Sequence, residues 1–292
     1  STRKVSAITE ELCGAEFSKS TVSDLCRRID PLVEAWNARP LKDTKYPFVL
    51  VDALIIKIRE DEAIRPRSVL IATGVTQQGQ REILGFKVGD SESEASWSDL
   101  FRTLKLRGLG GVDFVISDNH GGLVSAVRTH FQGIVWQRCQ THFLRNIIDA
   151  TPKRVQKELH ERVKMLLHAP DKELARQLLQ GIFNDFEKTA PKAMEILETG
   201  FEDATAILII PADYRQRLRT TNSVERLNEE IRRRERVIRI FPNRASAERL
   251  IGAILMEHSE KWLSSKCYLN MDAYWQWRAE NGTPSAKVVR LK

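Results

Sequence analysis

Three β-type runs follow one another from Phe48, and they constrain this chain more than anything else in it: FVLVDALIIKIRE (48–60), SVLIATGV (68–75) and REILGFKVG (81–89). The stretches between them, REDEAIRP and TQQGQ, are polar and turn-like, so a three-stranded antiparallel meander is predicted. The period then changes. Ser91 and Glu94 have the spacing of a capping box in front of a helix carrying Trp97, Leu100, Phe101 and Leu104. Beyond the GLGG turn come a strand, VDFVISD (112–118), a short helix after Gly122 and a further strand, GIVWQRC (133–139).

Three antiparallel strands followed by helix, strand, helix and strand is the element order of a ribonuclease H-like α/β domain. Residues 152–210 leave that alternation and read as helical throughout, with one stripe of Val155, Leu159, Val163 and Leu166, another of Leu174, Leu178, Ile182, Phe183 and Phe186, and Pro170 and Pro191 as punctuation. A packed helical insertion without chemistry of its own is expected there. Before the strands, Val5, Ile8 and Leu12 fall on one helical face and Gly14 ends it. FSKSTVSDLCRRI then starts a second helix, capped by Ser18 or Ser20 and striped by Val22, Leu25 and Ile29. The pair reads equally as a DNA-reading helix-turn-helix or a plain helical hairpin, and NARPLKDTKYP (37–47) reads as a linker. The expected division is a helix-turn-helix-like DNA-binding remnant over 1–41, the first part of the core over 42–150, an all-helical insertion over 151–218, and completion of the core with basic C-terminal helices over 219–292.

Three acidic residues stand where acids are costly. Asp52 lies inside FVLVDALII, flanked on both sides by residues of a buried central strand. A desolvated carboxylate needs compensation, from a buried arginine or, as the better account, from a bound cation. Asp118 closes the apolar run FVIS ahead of Asn119, His120, Gly121 and Gly122, and is either a site residue at a strand's carboxyl end or the cap of the next helix. In the ribonuclease H-like order the first and fourth strands are neighbours, which brings Asp52 and Asp118 together; two carboxylates so placed repel unless metal ions lie between them.

A third acid must then come from a helix packed on the sheet. In RTTNSVERLNEEIRRRERVIRIFPN (219–243), Val224, Leu227 and Ile231 form the buried stripe and Glu225 lies beside it. Asn222 and Glu225 also have the N-cap and N3 spacing of a capping box, a role compatible with metal binding. Arg215, Arg217, Arg219, Arg226, Arg232, Arg233, Arg234, Arg236, Arg239 and Arg244 crowd this region, and Glu229, Glu230 and Glu235 neutralise only some of them. Arg219, Arg226, Arg232, Arg233 and Arg236 are the expected phosphate contacts, which position a duplex rather than read its sequence.

The bulk numbers agree with a polyanionic partner: 46 Lys and Arg against 39 Asp and Glu give a formal charge of +7 over 292 residues. Cys13, Cys26, Cys139 and Cys267 form no close pair, which argues against a disulfide framework or a four-thiolate zinc site and fits a reducing cytoplasm. There is no apolar run of ~18 residues, and STRKVSAITE has no signal-peptide core, so membrane insertion and export are not expected. The chain begins with Ser rather than Met, from which a preceding N-terminal segment is expected.

Five blocks, VDALIIKIRED, VGDSESEASW, VISDNHGGL, WQRCQTHFLRN and TTNSVERLNEEIRRRERVIRIFPN, resemble in order and spacing the bacterial insertion-sequence transposases of the Mutator type. The resemblance implies a DDE transposase whose ribonuclease H-like domain is interrupted by an all-helical insertion before its last acid. By motif the triad is Asp52 in VDALIIK, Asp118 in ISDNH and Glu225 in NSVERLN, holding two Mg²⁺ ions about 4 Å apart, with Mn²⁺ as substitute, for strand cleavage and strand transfer. Cys139 and His142 match the family's C-x-x-H block. Neither His120 nor His130 gives a zinc-ligand spacing with them, so a buried cysteine with a histidine near the active site is expected, His120 falling close by. Ile55 and Asn119 depart from the family pattern.

The implied partners are double-stranded DNA, as element ends and as target, and a second copy of the chain on that DNA, in a bacterial cytoplasm. Two other classes stand beside this one. A non-catalytic DNA-binding regulator derived from a transposase would leave the placement of Asp52 unexplained, and a structure-specific nuclease of the same fold would cut without joining.

Overall fold

The computed structural model describes residues 18–285. Ser18 caps α1 (Lys19–Arg27), its side chain accepting from Thr21 N–H. The helix expected to run on to Ile29 stops at Arg27, and α2 (Asp30–Ala38) begins with Pro31 in its first turn, so the linker starts later than the sequence indicated. Leu25 and Ile29 of the predicted stripe are exposed, whereas Val22 is buried. Val5, Ile8, Leu12, Cys13 and Gly14 lie outside the described residues.

Strands β1 (Phe48–Glu60), β2 (Ala63–Val75) and β3 (Arg81–Gly89) form the antiparallel meander, and β4 (Phe114–Ser117) and β5 (Val135–Arg138) extend it in parallel. The five-stranded sheet has the order β3-β2-β1-β4-β5. The turn expected over REDEAIRP shrinks to two residues, because Glu60 pairs with Ala63 and both Asp61 and Glu62 adopt positive φ (49° and 62°). Such a left-handed pair follows the right-handed twist of a hairpin. The lengthened β1–β2 ribbon reaches well past β4 and is met there by the segment around Phe241, whose N–H donates to Lys57 O at 2.8 Å.

Helix α3 (Glu94–Leu106) is capped by Ser93, which accepts from Ser96 N–H at 3.2 Å; the Ser91–Glu94 box is not made. Helix α4 (Gly121–His130) joins it on one face of the sheet, where Trp97, Phe101, Leu123 and Val127 pack on Val49, Val51, Leu70 and Ala72. Gly122 is required at that seam: a Cβ there would stand 2.6 Å from Glu94 N.

Four helices, α5 (Gln140–Asp149), α6 (Gln156–Leu167), α7 (Lys172–Phe186) and α8 (Pro191–Ala204), enclose a core of their own around Phe143, Leu159, Leu166, Ile182 and Phe201. Ala175 is buried in α7, where Leu174 of the expected stripe is exposed, because the buried face is rotated by one residue. A short 3₁₀ turn (Ala206–Ile209) and α9 (Ala212–Leu218) lead back to the sheet.

The opposite sheet face is covered by α10 (Asn222–Ile238), α11 (Arg244–Leu263) and α12 (Asp272–Asn281). Val224, Leu227 and Ile231 of α10 share a core with Leu50, Leu54 and Ile56. The chain is thus a mixed α/β protein with helices on both sheet faces and a second, purely helical core. Among the described residues no helix is long and apolar enough to cross a membrane.

Helix α2 is locked onto α11 through Gly252, where an added Cβ would lie 2.2 Å from Val33 Cγ1. Gly252→Ala is expected to destabilise the protein by about 1–3 kcal/mol, the usual range for overpacking, read as a lower urea midpoint with an unchanged slope.

Candidate active site

Strands β1 and β4 run in parallel register, Leu50 opposite Ile116. Two residues further along each strand direction stand Asp52 and Asp118, so the alternation that points Leu50 and Ile116 toward the α10 side carries both acids to that side as well. Helix α10 crosses there, and its first turn carries Glu225. The sheet and one helix thereby bring the three acids into one neighbourhood.

Asp52 is fixed by two donors. Ala53 N–H reaches Oδ1 at 2.9 Å, and Asn228 Nδ2, one turn beyond Glu225, reaches Oδ2 at 2.8 Å. No lysine or arginine forms an ion pair with Asp52 among the described residues, so the buried-arginine account of this carboxylate does not hold. Burial raises its pKa from 3.8 to about 7, with the Asp118 and Glu225 carboxylates adding to the rise and the Ala53 N–H and His142 opposing it. Asp118 accepts from His120 N–H at 3.2 Å, while the cap position of α4 belongs to His120 itself, so Asp118 is not that helix's N-cap.

Glu225 is held by its Oε1, which accepts from Thr221 Oγ1 at 3.1 Å and lies 3.5 Å from His142 Nε2. Thr221, not Asn222, is the N-cap of α10, and its side chain bonds the Glu225 carboxylate instead of a backbone N–H. Cys139 is buried beneath this group and accepts from Thr221 N–H at 3.4 Å. Burial pushes the Cys139 thiol up, but His142 and Thr221 outweigh it and leave its pKa below the ordinary value. Cys139 beside it lifts His142 to about 9 against the effect of burial, with Glu225 and Asp118 contributing.

The Cys139 sulfur, a His142 ring nitrogen and a Glu225 oxygen lie within 4.8 Å of one another. Three such atoms fall one short of the four a structural zinc takes. His120 Nδ1 stands 3.7 Å from Glu92 Oε1.

Sequence reasoning missed Asn228 and Glu92. Asn228 was legible as a polar residue on the otherwise apolar face of α10, one turn from Glu225. Glu92 had no signal, because only folding places it near Asp118, where burial first and the Asp118 charge second raise its pKa.

The arginines divide by role. Arg215 is structural, donating to the carbonyls of Ile210, Leu208 and Pro170. Arg244 bridges Glu60 and Asp90. Arg233 and Arg234 are paired with Glu230, which leaves Arg232 and Arg236 exposed on the same helix. Arg219 and Arg226 line a cavity next to the first turn of α10.

Comparison with known proteins adds a family. The family model described as "Transposase, Mutator family" matches residues 1–265. The chain is 47% identical over 275 residues to the transposase for insertion sequence element IS256 in transposon Tn4001 of Staphylococcus aureus, covering 93% of this chain and 70% of that protein. It is 38% identical to the transposase for ISRM5 of Rhizobium meliloti, over 93% of this chain and 68% of that protein. With the transposase for IS1081 of Mycobacterium tuberculosis it shares 38% identity over 96% of this chain and 67% of that protein.

The raised pKa of Asp52 has a consequence for stability. Its folded value lies above its unfolded one, so its burial costs nothing below about pH 3; the cost grows as pH rises from there to about 7 and is constant above. At about 1.4 kcal/mol per unit, Asp52→Asn is expected to be more stable than the parent by up to about 4 kcal/mol at about pH 8 and equal to it at about pH 3, in urea unfolding of the metal-free protein.

Proposed function

The chain belongs to the Mutator family of transposases, and we propose that it works as a DDE enzyme in which Asp52, Asp118 and Glu225 hold divalent metal at a ribonuclease H-like centre. It is an insertion-sequence transposase by family and by its relatives. The strand order β3-β2-β1-β4-β5, with the fourth strand parallel to the first, supports the ribonuclease H-like reading. The separate core of α5–α8 supports an all-helical insertion between Asp118 and Glu225. On this reading residues 42–150 and 219–292 make the catalytic core, 151–218 the insertion, and 1–41 a helical DNA-binding remnant.

One observation carries the catalytic part: Asp52 is a carboxylate fixed by two hydrogen bonds, crowded by two further acids and in ion-pair contact with no lysine or arginine among the described residues, the His142 charge offsetting the crowding only in part. Hard oxygen donors in such a group suit Mg²⁺, with Mn²⁺ as substitute. Held by these residues, divalent metal would polarise the phosphate as a Lewis acid and activate a water or a DNA 3′-hydroxyl as nucleophile.

The protein's own part is positional. Ala53 and Asn228 hold Asp52 in one orientation, and Thr221 and His142 hold Glu225 through its Oε1. Arg232 and Arg236, exposed along α10, bind the phosphates of double-stranded element ends and target, Arg219 and Arg226 bind DNA phosphate beside the first turn of that helix, and Arg233 contributes less because Glu230 occupies it. A homodimer on DNA, in a bacterial cytoplasm, is the assembly in which two element ends are joined together to one target.

A nuclease of the same fold is the competing reading, and the product separates the two. With Mg²⁺ and the intact protein, pre-cut element ends are expected to become covalently joined to an unrelated duplex. Efficient nicking of those ends with no joined product would overturn the transfer reading in favour of hydrolysis. Asp52→Asn, Asp118→Asn and Glu225→Gln are each expected to reduce joining by at least about 100-fold, the scale of disturbing a metal site, while DNA affinity in a gel-shift assay without metal changes by less than about twofold.

A further inference from the structure

Beside the acids lies a cavity of about 800 Å³ with the opposite electrostatics. Arg81, Arg217, Arg219 and Arg226 line it from the sheet end, α9 and α10, and Lys164 faces it from helix α6. No aspartate or glutamate lines it. Among the described residues none of these five cations is in a salt bridge, whereas Arg233, Arg234 and Arg244 elsewhere in the same region all are. Burial lowers the pKa of Arg81, and the neighbouring charges of Arg217 and Arg226 lower it further. These like charges are therefore held together without a counter-ion from the protein.

Two of them are held by aromatic rings. The Arg81 guanidinium lies 4.2 Å from the Trp262 ring centroid and 4.4 Å from that of Tyr268, and Arg217 lies 4.7 Å from the Tyr268 ring. A ring face fixes a guanidinium without neutralising it and without consuming its in-plane N–H donors. The donors are thus positioned in advance and left for a ligand. Asn222 and Ser223 of the first turn of α10 line the same cavity. Their backbone N–H groups lie outside the helix's own ladder, and Glu225 sits in that turn.

We propose that this cavity is a binding site for unpaired DNA strand, taking the sugar–phosphate backbone of the few nucleotides that flank the scissile phosphate. The inference rests on the reading of Asp52, Asp118 and Glu225 as the cleavage centre, and it adds to that reading a separate path for single-stranded DNA. A duplex does not fit the space: the volume is that of a small-ligand pocket, and the cations lining it come from separate elements, Lys164 from α6, Arg81 from β3 and Arg217 from α9. Arg232 and Arg236, by contrast, lie exposed further along α10 and outside the cavity lining, on a helix face of the kind a duplex rests on. A positive channel with ring and guanidinium planes is the usual means of holding single strands regardless of sequence.

The test is fluorescence anisotropy in EDTA, where no cleavage occurs, so failure of the catalytic assignment leaves the readout untouched. The probes are a blunt DNA duplex and the same duplex carrying a short oligo-dT tail at either its 3′ or its 5′ end. The parent protein is expected to bind one tailed duplex about tenfold more tightly than the blunt one, a gain of about 1.4 kcal/mol. The double variant Arg81→Ala/Lys164→Ala is expected to lose that gain while its affinity for the blunt duplex stays within about twofold. The salt dependence of the tailed probe should fall by about 0.7 in log–log slope per lost contact, so by about 1.4 in all.

Lys164→Glu alone, on an exposed side chain, gives the same comparison if loss of the aromatic stack unfolds the double variant. Equal binding of tailed and blunt probes by the parent overturns the proposal, as does equal weakening of both by the variants, which would make the cavity part of a general duplex surface.

Discussion

The hydrogen bond from Asn228 to Asp52 ties the helix that carries the third acid to the strand that carries the first. Around it, Val224, Leu227 and Ile231 bury against Leu50, Leu54 and Ile56, so an apolar contact fixes the height and rotation of α10 while one polar pair fixes its register. Such a pair sits partly buried, where a lone amide or carboxylate is costly, and each partner needs the other. Moving α10 by a single residue would break the bond, rotate Glu225 off the site and bring a charged side chain toward the sheet.

Two charge fields of opposite sign are then held side by side. Three carboxylates crowd together without a lysine or arginine in ion-pair contact, and five cations surround a cavity with no acid lining it. Either cluster could have been neutralised by the other across the first turn of α10, and the chain keeps them apart. Asp52 and Glu225 are braced by Ala53, Asn228, Thr221 and His142, and Arg81 and Arg217 by Trp262 and Tyr268. At Arg81 and Arg217 the ring sets a position without cancelling the charge, and among the braces of the acids only His142, lifted to about 9, offsets part of theirs. An arrangement of that kind is unfavourable by itself and is relieved by a ligand that carries both signs, such as a phosphodiester with bound cations.

The four-helix unit serves this arrangement although it contributes none of the acids. Its own core lets α5 and α6 stand as a rigid wall, and Gly200 allows α8 to approach so closely that an added Cβ would lie 2.4 Å from Phe143 Cε2. Gln137 and Gln140 bind Ala204 O from below, so the unit is seated on the end of β5 rather than hung from loops. From that seat α5 supplies His142 to Glu225 and α6 supplies Lys164 to the cavity.

The order of the elements, the burial of β1 and the presence of an acid inside it were legible in the sequence, because period-two burial and an acid inside an apolar run are local signals. So was the stripe of α10. Cap positions and turn lengths were read less well: Ser93 and Thr221 take the places assigned to Ser91 and Asn222, and the first hairpin closes at Asp61 and Glu62, since neighbouring hydroxyls, amides and acids compete for the same backbone donors over one or two residues.

Which arginines are free could not be read at all. Arg215 and Arg226 are alike as letters, yet one is spent on three carbonyls and the other faces the cavity. Pairing depends on partners distant in the chain, as with Arg81 beside Trp262 and Tyr268, or Glu92 near Asp118. The sequence by itself therefore determined where charge had to be compensated, through the cost of burying it, and the tertiary structure alone decided which groups were left to meet a ligand, because only packing brings distant side chains within reach of one another.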